Sequence, residues 1–214
     1  MTKYISILGT GSVASRLATL FLASGHRVAL ASRAPERGGK NLPAGATLVA
    51  LPACAVRAEV VVVAVPWVAA DGASALDALR SAEPGAATMI VDATNPLQAD
   101  WSPLAVAGHA SAGEAMQTAF PQHRVVKMFN TIFADAMIGA DLRAEGVPAF
   151  LAGNDAGARN TAASLARDCG LLPIDCGDMI AARWLEGMAH LNIRIAMAGG
   201  GTRAAFSYVK LPRA

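Results

Sequence analysis

Tyr4-Ile5-Ser6-Ile7-Leu8-Gly9-Thr10-Gly11-Ser12-Val13-Ala14 is the stretch whose reading decides the architecture. The apolar run Tyr4 to Leu8 reads as a buried strand, and Gly9 to Ala14 as a GxGxxA turn opening a helix. In such a turn the first glycine makes the sharp bend and the second leaves room for a pyrophosphate, whose charge the N–H groups of the helix start favour. Val13, Leu17, Leu20 and Phe21 mark the packed face of that helix, Ser12, Arg16, Thr19 and Ala23 its other face, and Gly25 its end. Strand, turn and amphipathic helix together point to a dinucleotide site.

The second strand, Arg27 to Ala31, ends in Ser32-Arg33, with Arg37 and Lys40 close behind. Sites for NAD place a carboxylate on the ribose 2′-OH about 20 residues beyond the turn. A carboxylate would repel a 2′-phosphate, whereas a hydroxyl and a guanidinium bind one through charge-assisted hydrogen bonds. The expected cofactor is therefore NADP(H).

Strand-like and helical runs alternate along the chain, which predicts an α/β fold with a Rossmann-type, doubly wound, mostly parallel sheet. A loop from Pro35 to Gly45 leads to a short strand at Ala46 to Leu51, and Glu59 to Val65 reads as a strand buried on both faces. Further strands are expected at Thr88 to Asp92, Arg124 to Phe129, Val147 to Ala152 and Leu171 to Asp175, with a helix over Ala156 to Cys169 ended by Gly170. Residues 1–176 are expected to form the dinucleotide domain and 177–214 a short helical cap.

The cap reads as one helix from Met179 to Ala198 with a glycine-rich tail. Trp184, Met188, Leu191 and Ile195 form its expected packing face, which also suits the interface of a homodimer. Arg183, Glu186, His190 and Arg194 form the polar stripe, with charge pairs along the helix. Asn192 lies near the apolar side, where it either caps a backbone group or points into a cleft.

With 214 residues, 54% hydrophobic, the chain is long enough for one sizeable core. A net charge of +2, dispersed along the chain, argues against nucleic-acid binding. The apolar stretch Val60 to Ala70 is too short to span a bilayer, and the first strand begins almost at Met1, so neither a membrane segment nor a leader is expected. Cys54, Cys169 and Cys176 have an odd count and no metal spacing, which suits a reduced, cytoplasmic protein with buried thiols. His26, His109, His123 and His190 are expected to be structural or solvated.

Ligands on an open α/β sheet bind beyond the carboxyl ends of its strands. Three such ends carry candidate residues: Ala64-Val65-Pro66-Trp67, Asp92-Ala93-Thr94-Asn95-Pro96 and Lys127-Met128-Phe129-Asn130-Thr131. Ala64, Val65, Pro66 and Asn95 are assigned to the nicotinamide side, and Asn130, Thr131 and Asn192 to a second, small-molecule substrate. Alone, Asn95-Pro96 suits a turn and Asn130 a loop cap. No Ser/His/Asp arrangement, HExxH motif or metal-ligand cluster is recognisable, so no catalytic dyad and no metal site are assigned. Hydride transfer between stacked rings needs alignment and exclusion of water more than a general acid.

Across nearly its whole length the chain resembles the F420-dependent NADP oxidoreductases. The resemblance is carried by Gly9 to Ala14, Ser32-Arg33, Val65-Pro66-Trp67, Val126 to Thr131, and Gly170 to Gly177 leading to Leu191-Asn192-Ile193. It is also similar to the reductase domain of the six-transmembrane ferric reductases. The likeness implies hydride exchange between NADPH and a deazaflavin (F420) or flavin. It implies that Thr10, Gly11, Ser12 and Val13 meet the pyrophosphate, that Ser32, Arg33 and Arg37 hold the 2′-phosphate, and that Val65 and Pro66 border the nicotinamide; Gly9 belongs to the cofactor site as its turn. Where archaeal-type members look to carry a histidine, this chain has Asn130, which leaves the acceptor open. Another small electrophile stays open as acceptor, and the competing reading is a non-catalytic NADP-binding sensor or partner-binding module.

Overall fold

A computed structural model describes residues 1–37 and 42–211. Eight strands form one sheet in the order β3-β2-β1-β4-β5-β6-β7-β8. They are β1 (Tyr4–Leu8), β2 (Arg27–Ser32), β3 (Thr47–Ala50), β4 (Val60–Val63), β5 (Met89–Asp92), β6 (Arg124–Met128), β7 (Pro148–Ala152) and β8 (Leu172–Asp175). All neighbours are parallel except β6 and β7. The order reverses between β1 and β4, and such a reversal opens a crevice at the carboxyl edge of a sheet.

The helices are α1 (Ser12–Ala23), α2 (Ala73–Ala82), α3 (Ala112–Ala119), α4 (Gly139–Ala144), α5 (Ala156–Asp168) and α6 (Ala182–Ile195). Alternate residues of β4 serve opposite layers, Val60 and Val62 packing with α1 and α5, Val61 and Val63 with α2 and α3. That two-sided burial is why the strand reads as an uninterrupted valine run. None of the described helices is long and apolar enough to cross a membrane.

The expected elements agree with the observed ones to within one or two residues, except at the C-terminal helix. A 3-10 turn (Met179–Ala181) precedes α6, and a π turn (Ala196–Gly200) follows it. The expected packing face is also corrected. Trp184, Leu191 and Ile195 are exposed, while Ala182, Leu185, Ala189, Asn192 and Ile193 are buried. A small residue stands at 182 because α6 comes very close to α3 there, so that a Cβ on Gly113 would lie 2.8 Å from that of Ala182. The polar stripe is redirected as well. Arg183 pairs with Glu114 and Glu186 with Lys127, rather than with neighbours on their own helix.

Candidate functional site

At the carboxyl edge of the sheet a cleft of about 1040 Å³ follows the reversal point. Gly9 sits there with φ +113°, and a Cβ on it would lie 2.8 Å from the Ala64 carbonyl oxygen, so only glycine permits β1 and β4 to close up. Gly11 precedes α1 without a side-chain cap, and a Cβ on it would meet nothing within 4 Å. The uncapped N–H groups of the first turn of α1, with open space beside them, fit a pyrophosphate.

Gly9, Thr10, Gly11, Ser12, Val13, Ser32, Arg33, Ala64, Val65, Pro66 and Asn95 all line this cleft. Arg37 is not among the lining residues; it stands on the 3-10 turn Pro35–Arg37, turned onto the exposed flank after β2. Lys40 lies outside the described residues. The Ser32 hydroxyl accepts a hydrogen bond from the Ala34 N–H at 3.1 Å and keeps its own proton for a further acceptor.

A second cavity of about 320 Å³ adjoins the cleft, and Asn130, Thr131 and Asn192 line it with Phe133, Ala189 and Ile193. Ser12, Val13, Ala93, Asn95, Leu97 and Trp101 line both cavities. Their amide groups are largely committed to the protein. Asn95 Nδ2 donates to the Asn130 carbonyl at 2.8 Å, and Asn130 Nδ2 donates to Asn95 Oδ1 and the Leu185 carbonyl, both at 3.0 Å. Asn192 Nδ2 donates to the Thr131 carbonyl at 3.2 Å, so it both caps backbone and borders the cavity. These bonds make the three asparagines braces of the wall between sheet and cap.

Beneath the wall lies an ion cluster that sequence reasoning missed. Lys127 is 0% exposed, and its Nζ meets Asp92 Oδ2 at 3.0 Å, Glu186 Oε1 at 2.8 Å and the Thr94 carbonyl at 2.6 Å. Glu186 also accepts the N–H groups of Ala112 and Gly113 at the start of α3, each at 3.1 Å. Asp92 accepts the N–H and hydroxyl of Thr94. Burial alone would lower the Lys127 pKa, but the charges of Asp92 and Glu186 outweigh it and raise the value. The cluster thus ties β5, β6, α3 and α6 together directly under Asn95. Nearby, Ser111 caps α3 by accepting the Glu114 N–H and donates its hydroxyl to the Glu114 carboxylate, which also accepts two hydrogen bonds from Arg183 that keep its carboxyl below the usual range.

His190 is half-buried rather than solvated and lines neither cavity. His26 is buried, with Nδ1 accepting the Lys3 N–H and Nε2 3.1 Å from Asp168. Neither lines the junction of the cavities.

Residues 4–96 match the family described as NADP oxidoreductase, coenzyme F420-dependent. A chain from Arthrobacter sp. FB24, assigned as an F420-dependent NADP-reductase, is 31% identical with a TM-score of 0.82, over 96% of this chain and 99% of that one. The metalloreductase STEAP3 of Rattus norvegicus is 31% identical over 182 residues, 85% of this chain and 35% of that protein, so this chain spans about a third of its length. A reductive aminase from Aspergillus terreus, solved with NADPH and ethyl-5-oxohexanoate, is 21% identical with a TM-score of 0.67, over 94% of this chain and 64% of that one. This last likeness is one of fold alone.

Proposed function

Because the chain belongs to the F420-dependent NADP oxidoreductase family, we propose that it is a reductase passing hydride from NADPH to a flat heterocyclic acceptor of the deazaflavin or flavin class. The observation that carries this reading is the shared wall. One cavity has the features of a dinucleotide site, a second adjoins it, and Ser12, Val13, Ala93, Asn95, Leu97 and Trp101 border both. Two ligands so placed meet at that wall, as hydride transfer requires.

NADPH would bring the chemistry, a hydride given up as it becomes NADP⁺, while the acceptor takes that hydride and a proton from water. The chain's own work is binding and alignment. The open start of α1 holds the pyrophosphate, Ser32 and Arg33 hold the 2′-phosphate, and Ala64, Val65 and Pro66 form the apolar side along the nicotinamide. Asn130, Thr131 and Asn192 contribute the far wall of the acceptor cavity. The buried Lys127 cluster keeps sheet and cap in register, and the apolar lining excludes water.

The test is the loss of 340 nm absorbance when purified protein and NADPH meet F420, FMN or a ferric chelate. Oxidation with F420 or FMN is expected. Tight NADPH binding with silence across the whole panel would replace the reductase by a non-catalytic NADP sensor.

A further inference from the structure

Trp101 occupies a position that the fold does not ask a tryptophan to fill. Residues 96–104 form a small hairpin: Leu97 bridges Pro103, the Gln98 N–H donates to the Ser102 carbonyl at 2.8 Å, and the Trp101 N–H donates to the Gln98 carbonyl at 3.0 Å. Asp100 fastens the tip by accepting both the N–H and the hydroxyl of Ser102. In a hairpin loop of this kind the residue after the turn adopts the left-handed conformation, where glycine is the default. Here it is Trp101, with φ +67° and 59% of its surface exposed.

A bulky residue in that conformation costs about 10-fold in the local equilibrium relative to glycine, and an exposed ring regains little by packing. Backbone strain of this sort is retained where a site uses it. Trp101 borders both the cleft and the smaller cavity, which Phe129 to Phe133 and, on α6, Ala189, Asn192 and Ile193 also line.

We propose that Trp101 is the stacking face of the acceptor site, and that it selects planar aromatic acceptors over compact, non-planar ones. This rests on the reductase reading above and names the residue that sets its acceptor class. The rigid hairpin presents the indole without the entropy loss of a long flexible side chain. Stacking of a ring on an aromatic side chain contributes roughly 5- to 150-fold in affinity.

The experiment compares wild type, Trp101→Gly and Trp101→Phe, using lumiflavin fluorescence for acceptor binding, titration for NADPH and thermal melting for the fold. Trp101→Gly should weaken lumiflavin at least 10-fold, weaken NADPH by a clearly smaller factor and melt no lower than wild type, since it relieves the strained position. Trp101→Phe should restore most of the lumiflavin affinity. Equal lumiflavin affinity in wild type and Trp101→Gly, a matching loss of NADPH affinity, or no lumiflavin binding by wild type would each overturn the proposal. Lumiflavin bound through Trp101, with no NADPH oxidation across the whole acceptor panel, would keep this inference and remove the reductase reading, so the two fail separately.

Discussion

Arg33 stands exposed at the end of β2 beside the Ser32 hydroxyl and makes no ion pair among the described residues. In the proposed reading that guanidinium holds the 2′-phosphate of NADPH. Arg33→Ala should therefore weaken NADPH by roughly 10- to 150-fold, the range for hydrogen bonds to a charged group, with melting temperature and NADH affinity unchanged. Titration of both nucleotides checks it; an equal loss of NADH would remove the 2′-phosphate role. The position of Arg33 at the end of β2 was legible from the sequence because it follows from the adjacent strand, whereas the 3-10 turn that leaves Arg37 outside the residues lining the cleft carries no local spacing signal.

Among the elements, α6 depends on contacts that reach across the chain. Lys127 lies on β6, Glu186 on α6 and Asp92 on β5, and each is buried or nearly so. Removing the cation leaves two carboxylates without it, so Lys127→Met should cost about 3–5 kcal/mol of stability. Adding Asp92→Asn and Glu186→Gln to that variant should recover much of the loss, since no unpaired charge then stays buried. Urea melts of the single and triple variants test this, and a single variant as stable as wild type would refute it. The same contacts set the response to pH. The Arg183 hydrogen bonds lower the Glu114 pKa, so its contribution is present above the ordinary value of about 4.3 and is lost as the pH falls through the lowered one. Raised by Asp92 and Glu186, Lys127 contributes fully below about pH 10.4, and its contribution fades as the pH rises through the folded value. Between about pH 6 and 3 the urea midpoint of Glu114→Gln should therefore fall less than that of wild type; parallel curves would count against the clasp.

For the whole molecule, the outward face of α6 leaves Trp184, Leu191, Ile195 and, just beyond, Met197 exposed. An apolar patch of this kind suits association, and the expected outcome is a homodimer, with light scattering at micromolar concentration giving twice the chain mass. Trp184→Glu should return the monomer without a lower melting temperature, because that side chain packs on no core. The residues that face the core were hidden from pattern reading: large apolar side chains stand on both sides of α6, and the close approach of Ala182 to Gly113 helps to turn the side of Leu185, Ala189 and Ile193 inward. Local sequence by itself determined the alternating elements, the glycine turn and the placing of Ser32-Arg33 at the end of β2, because strand burial, backbone conformation at Gly9 and position beside a strand end are short-range properties. Only the tertiary structure decided which face of α6 turns inward, that Asp92, Lys127 and Glu186 share one buried cluster, and that Trp101 stands between two cavities. Those outcomes depend on the distances between segments remote in the chain, and packing sets them after the local elements exist.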